Sequence, residues 1–316
     1  MLLRKRLVIE MTPKLIMLVG LPASGKSTYA KKFAKKYDAN IHSSDAIREE
    51  LSGDINNQNI NELVFKTLHS RIKEDLKSGK NCIYDATNIS YKRRKAFLEE
   101  LKNIPCEKIC ELIATPYEEC LKRNAERERK VPEYVIERMY RSFDVPYWYE
   151  GWDCIETTFG LHRAIYGTPY KFISTVRQYN QHNSHHELSL GEHCWQTYKS
   201  IKKSCYTNTN HDIIMRTSGM LHDCGKCFCQ TFVNTKNEIT NEAHYYAHER
   251  VGSYDSLFYG MTCNPLDVAI RIRWHMQPYF WEKDNNEKLH NKYRKLWGED
   301  LYNDIMLLHA ADKAAH

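Results

Sequence analysis

The spacing of apolar residues changes once along the chain. In the first half, short apolar runs alternate with stretches in which apolar residues recur every three or four positions. The run LIMLV at residues 15–19 ends at Gly20 and predicts a strand buried on both faces. Residues 27–37 place Ala30, Phe33, Ala34 and Tyr37 on one face with lysines opposite, the pattern of an amphipathic helix. Further strands are predicted at residues 40–42, 82–84, 108–114 and 152–157, with a helix between the first two carrying Ile60, Leu63, Val64, Leu68, Ile72 and Leu76. Such alternation predicts an α/β domain over residues 1–160, a parallel sheet with helices on both faces. Residues 161–184 have no clear period and read as a linker. Beyond them the pattern is helical over 188–203, 211–221, 243–261, 266–276 and 299–315, with a small hairpin around residues 234–238, so an all-α domain is predicted over 185–316.

A length of 316 residues suits two domains. No apolar run approaches the ~20 residues a membrane helix requires, and no membrane partner is expected. Arg4, Lys5 and Arg6 are followed by neither a long apolar stretch nor a cleavage-site pattern, so a cytoplasmic protein is expected. The 11 cysteines are odd in number and lack paired metal-site spacing, which fits free thiols in a reducing compartment. The net charge of +6 is spread, with 28 Lys and Arg against 24 Asp and Glu over residues 1–160 and 18 against 16 beyond. Charge alone is therefore a weak argument for a polyanionic partner.

Specific chemistry begins at the first strand-to-helix junction. Gly20-Leu-Pro-Ala-Ser24-Gly25-Lys26-Ser27 fits G-x-x-x-x-G-K-[ST], and Thr28 follows. The glycines let backbone N–H groups turn around a phosphate and the helix N-terminus adds its positive dipole end. Lys26 would reach the β/γ-phosphates of ATP or another nucleoside triphosphate, and Ser27 would offer its hydroxyl to Mg²⁺. Asp45 and Arg48 fall just past the second strand, where ligands bind in open α/β sheets. Asp45 there either accepts a proton from an attacking hydroxyl or caps the following helix. Asp85, at the end of another strand, either holds Mg²⁺-bound water or lines the acceptor site, or else it forms a turn. Arg123 and Arg127, spaced i, i+4, suit a lid gripping polyphosphate or a solvated ion-paired face.

In the second half, His193, His222, Asp223, His248, His275 and Asp312 recur at intervals of about one helix and a loop. Imidazoles and carboxylates suit one or two transition-metal ions, Mn, Fe, Co, Ni or Zn, and adjacent His222 and Asp223 can serve a shared centre. His185, His186 and His244 are weaker candidates.

Two resemblances follow from these residues. Gly20 to Thr28, Asp45 with Arg48, Asp85-Ala-Thr-Asn88, Arg123 with Arg127, Lys130-Val-Pro-Glu and Gly151-Trp-Asp resemble the 5′-hydroxyl polynucleotide kinases and their P-loop relatives. That likeness implies that Lys26 and Arg123 or Arg127 stabilise the transferring phosphoryl group, that Asp45 is the general base, and that Arg48 contacts the acceptor's neighbouring phosphate. His222-Asp-Cys-Gly-Lys226 and His248-Glu-Arg-Val-Gly252 resemble motifs of the HD superfamily of metal-dependent phosphohydrolases. By that likeness His193, His222, Asp223 and Asp312 hold one metal, His248 and His275 a second, and Lys226 sits near substrate phosphate or in an ion pair. Together they resemble enzymes that heal RNA or DNA termini, adding a 5′-phosphate and removing a 2′, 3′ or 2′,3′-cyclic phosphate so that a separate ligase can act. The alternatives are a small-molecule or nucleoside kinase fused to an HD nucleotidase, and a nucleotide-binding regulatory module.

Overall fold

The computed structural model describes residues 12–184, 187–203, 209–260, 264–284 and 286–315. They form two compact units, Met1–Ile136 with Pro146–Gly160, and Glu137–Val145 with Leu161–His316.

In the first unit the elements run β1 (Lys14–Val19), α1 (Lys26–Tyr37), β2 (Ala39–Ser43), α2 (Ser44–Ser52), α3 (Asn61–Lys77), β3 (Asn81–Asp85), α4 (Tyr91–Glu100), β4 (Glu107–Ala114), α5 (Tyr117–Glu126) and β5 (Cys154–Phe159). The strands are parallel in the order β2-β3-β1-β4-β5. Central β1 is buried from Leu15 to Val19, and its Ile16 and Leu18 pack with Ala30, Ile83 and Ile109, covered by Phe33, Ala34 and Tyr37. The stripe predicted on α3 buries Val64, Leu68, Ile72 and Leu76, whereas Leu63 faces solvent. β5 begins two residues later than expected, because Trp152 is buried and donates to Glu150 while Asp153 receives the backbone N–H of Lys108. Parallel strands bring the ends of β1, β2 and β3 to one edge, with Ser43 directly opposite Asp85.

The second unit takes up the end of α6 (Glu133–Arg141) and continues with α7 (Pro169–Thr175), α8 (Leu190–Lys203), α9 (Thr209–Leu221), α10 (Lys226–Cys229), β6 (Thr231–Val233), β7 (Ile239–His244), α11 (His248–Asp255), α12 (Pro265–Trp274), α13 (Gln277–Asp284), α14 (Glu287–Trp297) and α15 (Glu299–Lys313). Residues 161–184, expected as a linker, contain α7, capped by Thr168 and started by Pro169. Phe172 and Val176 lie in one core with Leu190, Cys194, Tyr198 and Ile272. One turn of apolar spacing was too short to register as a helix. The helix expected over 243–261 is only α11, since Ala243 and His244 belong to the antiparallel hairpin and Ala247 has a left-handed φ of 66° that stops any earlier start. The helices α13 and α14 were not predicted.

Candidate functional site

Each unit carries its own cluster of chemical groups. In the first, the loop between β1 and α1 turns through left-handed Ala23 (φ 61°) and Gly25 (φ 103°), which directs successive N–H groups inward. A Cβ on Gly20 would stand 2.7 Å from Ser24 Oγ and 2.9 Å from Ile113 O, so only glycine allows the loop to lie this close to β4. Ser24 Oγ is buried with no hydrogen-bond partner. Lys26 Nζ reaches over the loop and donates to Gly20 O (3.0 Å) and Leu21 O (2.7 Å). Burial lowers its pKa to about 8 against the opposing pull of Asp85. Asp85, also buried, is raised by desolvation although Lys26 and a hydrogen bond from Ser27 oppose the shift. Lys26, Ser27 and Asp85 thus form one charge-coupled group, while Thr28 belongs to the first turn of α1 and donates its N–H to Gly25 O.

Asp45 sits in the first turn of α2 with its carboxylate half exposed; the helix cap is Ser43, whose hydroxyl accepts from Ala46 N. One oxygen of Asp45 pairs with Arg48 (3.0 Å) and the other with Arg129 (2.6 Å). Arg48 is buried and also donates to Asn61 Oδ1 (2.6 Å). Arg123 donates to Glu119, to Ser24 O in the loop (3.4 Å) and to Gly160 O (3.1 Å). Arg123 and Arg127 do not share the helix face that their i, i+4 spacing predicts. Helix α5 ends at Glu126, Arg127 has an extended backbone (ψ 152°), and Asn124 bonds both backbone groups of Val131, folding the following loop back on the helix. Arg127 instead donates to Arg129 O, and burial lowers its pKa. Arg129 was missed in the sequence because it lies in the same basic run with no motif position of its own. A further group, His42, Asp75 and Cys82, is less suited to an ion, since burial first of all drives the Cys82 pKa up to about 12 and keeps it a thiol.

In the second unit, all six residues singled out as ligands converge. His193 comes from α8, His222 and Asp223 from the turn after α9, His248 from the first turn of α11, His275 from the end of α12 and Asp312 from α15. His193 Nε2 lies 3.0 Å from Asp312 Oδ1 and 3.3 Å from Asp223 Oδ2; His222 Nε2 is 3.4 Å and 3.3 Å from the same atoms. The other Asp223 oxygen faces His248 Nε2 (3.2 Å) and His275 Nε2 (3.6 Å). Every Nδ1 is turned to a backbone carbonyl, His222 to Gly219 O, His248 to Tyr245 O, His275 to Ile272 O and His193 to Ala315 O. That turns each Nε2 inward, the ring atom through which an imidazole binds a cation once any proton there is lost. His248 Nε2 and His275 Nε2 are buried without a hydrogen-bond partner. The set therefore fits one or two transition-metal ions, with donors in two groups sharing Asp223.

Electrostatics follow the geometry. Burial alone would lower His193, but hydrogen bonds to Asp223 and Asp312 raise its pKa to about 9. His222 is likewise pushed well up against desolvation, and Asp223 and Asp312 are held well below the usual carboxylate range despite burial. His275 is lowered, chiefly by burial. Lys226, expected near substrate phosphate or in an ion pair, is buried and donates to Asp223 Oδ2 (2.8 Å) and Gln181 Oε1 (2.8 Å), over the ring of Tyr245. Tyr279 donates to Asp312 Oδ2 (3.0 Å) and orients that carboxylate. Neither Gln181 nor Tyr279 sits in a recognisable motif. His244 stacks on Tyr246 and is not among the six converging residues, and His185 and His186 lie outside the described residues.

Comparison with known proteins bears on the first unit. Residues 15–146 match the family model described as AAA domain. L-seryl-tRNA(Sec) kinase of Methanococcus maripaludis is 34% identical over 149 residues, 46% of this chain and 58% of that protein, so the chain spans just over half of its length. Solved structures with a similar part include the Pnkp1/Rnl/Hen1 RNA repair complex (27% identity, 42% of this chain and 44% of that chain, TM-score 0.37) and a gluconokinase from Sinorhizobium meliloti 1021 (15%, 47% and 83%, TM-score 0.34). The first unit has the parallel sheet and nucleotide loop of a P-loop domain. No helix among the described residues is long and apolar enough to cross a membrane.

Proposed function

We propose that the chain heals nucleic-acid termini, with RNA the favoured substrate: the first unit phosphorylates a 5′-hydroxyl from ATP·Mg²⁺ and the second removes a terminal 2′, 3′ or 2′,3′-cyclic phosphate. The observation that carries the paired activities is the cage of four imidazoles and two carboxylates in a chain that also holds a nucleotide loop. Resemblance of its two motifs to the HD phosphohydrolases supports a phosphate ester as that cage's substrate. The kinase relative named for seryl-tRNA supports an acceptor hydroxyl carried on RNA.

For the first unit, the loop amides and Lys26 bind the β/γ-phosphates, and Arg123, already touching the loop at Ser24 O, gathers the charge that develops on transfer. Ser27 and Asp85 would hold Mg²⁺ or its water, as their mutual hydrogen bond places them side by side. Asp45 accepts the proton of the attacking hydroxyl once the acceptor's phosphate draws Arg48 and Arg129 toward itself. In the second unit, His193, His222, Asp223 and Asp312 would hold one ion and His248 and His275, with Asp223, another. Bound there, such ions supply Lewis acidity toward a phosphate ester. Lys226 holds Asp223 in place, and Tyr279 does the same for Asp312.

The test is incubation of RNA and DNA oligonucleotides bearing 5′-OH and 3′-phosphate ends with ATP, Mg²⁺ and Mn²⁺. Conversion to 5′-phosphate and 3′-OH is expected. Hydrolysis of ATP with both termini unchanged overturns the proposal.

A further inference from the structure

The segment just beyond Asp85 has no part in the chemistry above. Helix α4 opens with Tyr91-Lys-Arg-Arg-Lys95 and has no acidic residue in its first turn. Lys92, Arg93 and Lys95 are exposed and enter no ion pair among the described residues. The helix's own carboxylates, Glu99 and Glu100, are engaged at its far end by Lys102 and Lys73. Arg94 alone turns inward. It is buried in a two-pronged pair with Glu150 (2.7 Å on each arm) and donates its remaining arm to Asn88 O (2.8 Å). Glu150 also accepts from Trp152 Nε1 (3.1 Å) and Tyr147 N (3.2 Å).

That buried knot fixes the turn at residues 146–151 against the start of α4 and sets its aromatic rings beside the basic run. Tyr149 packs edge-on against Tyr91 (6.3 Å between centroids) and beside Tyr147 (5.8 Å), while Trp148 is 50% exposed. A ring held against the head of a run of exposed cations, with a half-exposed indole beside it in the turn, matches an unpaired strand, whose bases stack and whose phosphates are anionic. The patch is close to the phosphate loop along the chain: Gly20 N bonds Thr87 O (3.1 Å) and Asn88 Nδ2 bonds Leu18 O (2.8 Å), only a few residues before Tyr91.

We propose that Trp148 and Tyr149, with Lys92, Arg93 and Lys95, form a docking surface for single-stranded nucleic acid, gripping the nucleotides that follow the 5′ end presented to Asp45. The inference rests on the polynucleotide reading of the kinase unit and assigns it a strand-holding surface outside the reacting groups.

The full chain and its variants Trp148→Ala, Trp148→Phe and Lys92→Ala/Arg93→Ala/Lys95→Ala would be titrated into a 3′-fluorescein-labelled, single-stranded 5′-OH RNA at several salt concentrations. Kinase rates would be measured in parallel with that RNA and with a nucleoside 3′-monophosphate. Trp148→Ala should weaken RNA binding roughly 5- to 100-fold, the loss of one stacked base, and Trp148→Phe should recover most of it. The triple variant should lower the slope of log affinity against log salt by about 2. ATP affinity and the rate with the mononucleotide should stay within twofold of the parent, which also reports that each variant is folded. Unchanged RNA affinity in both Trp148→Ala and the triple variant overturns the docking surface, even where the parent phosphorylates RNA. A parent that binds no RNA overturns it too, and absence of phosphorylation of any nucleotide acceptor tells separately against the kinase reading.

Discussion

Substituting Gly225 with alanine puts the second unit's cage to a steric test. Gly225 has ordinary helical angles (φ −68°, ψ −14°), so alanine costs nothing in backbone conformation and only space is at issue. A Cβ there would stand 2.1 Å from His248 O and 2.6 Å from Gly252 N. Bringing the first contact out to 3.0 Å moves the start of α11 by about 0.9 Å, and His248 leaves Asp223 Oδ1, now 3.2 Å away, by a similar amount. Overpacking of this kind costs about 1–3 kcal/mol of stability, and an error near 1 Å in a reacting group costs about 10²-fold in rate. Gly252→Ala meets nothing nearer than 3.0 Å and should be much milder. The assays are metal content by mass spectrometry after Mn²⁺ loading and phosphatase activity on p-nitrophenyl phosphate, with kinase activity as the control. Gly225→Ala should bind less metal and lose phosphatase activity, and Gly252→Ala should stay near the parent. Metal content and phosphatase activity of Gly225→Ala within twofold of the parent would refute the reasoning.

Three further outcomes are expected. Because Lys26 has a pKa of about 8 rather than the usual lysine value, its ammonium is lost as pH rises through 8; nucleotide affinity, measured by calorimetry, should fall between pH 7 and 9. Arg94→Ala strands a buried Glu150 and should destabilise the protein by about 3–5 kcal/mol, read as a lowered denaturation midpoint, whereas Lys92→Ala should not move it. His193, raised to about 9, and His222, also pushed well up, carry protons at neutral pH that an ion must displace, so Mn²⁺ binding at pH 7.5 should release protons and tighten as pH climbs toward 9. The same shift in His193 means that its contribution to metal-free stability is whole below about 6.5 and fades as pH rises through 9, which chemical denaturation across that range would check.

Much of the first unit was legible because its signals are local. A continuous apolar run ending in a glycine-rich loop gave β1 and α1, and the residues that ring the nucleotide loop are placed by strand ends rather than by distant contacts. The second unit was legible as chemistry before it was legible as structure. Six ligand candidates, drawn from four helices and a turn, meet in space, while α7, α13 and α14 went unread. Those three helices are short or carry few periodic apolar residues, and tertiary packing, through Phe172 on α7 or Trp281 on α13, stabilises them more than local preference does. Arg129, Gln181 and Tyr279 were illegible for another reason. Each matters through a single partner far away in sequence, and no spacing rule announces such a contact.

The same unit holds an internal control for what a structural polar network looks like. Arg271 donates to Asp304 Oδ2 through Nε (3.0 Å), and His211 meets the other oxygen at 2.8 Å, so that the buried carboxylate is matched on both sides. The ligand cage is different. It buries two carboxylates, Asp223 and Asp312, with one lysine and four imidazoles, and its two inward nitrogens on His248 and His275 face Asp223 without forming a well-made hydrogen bond. A buried nitrogen with no well-made hydrogen bond costs about 1–3 kcal/mol. Groups that remain open, share one carboxylate and point at a common centre make sense as donors awaiting a cation, and that is why the cage, rather than the helical fold around it, carries the hydrolytic half of the proposal.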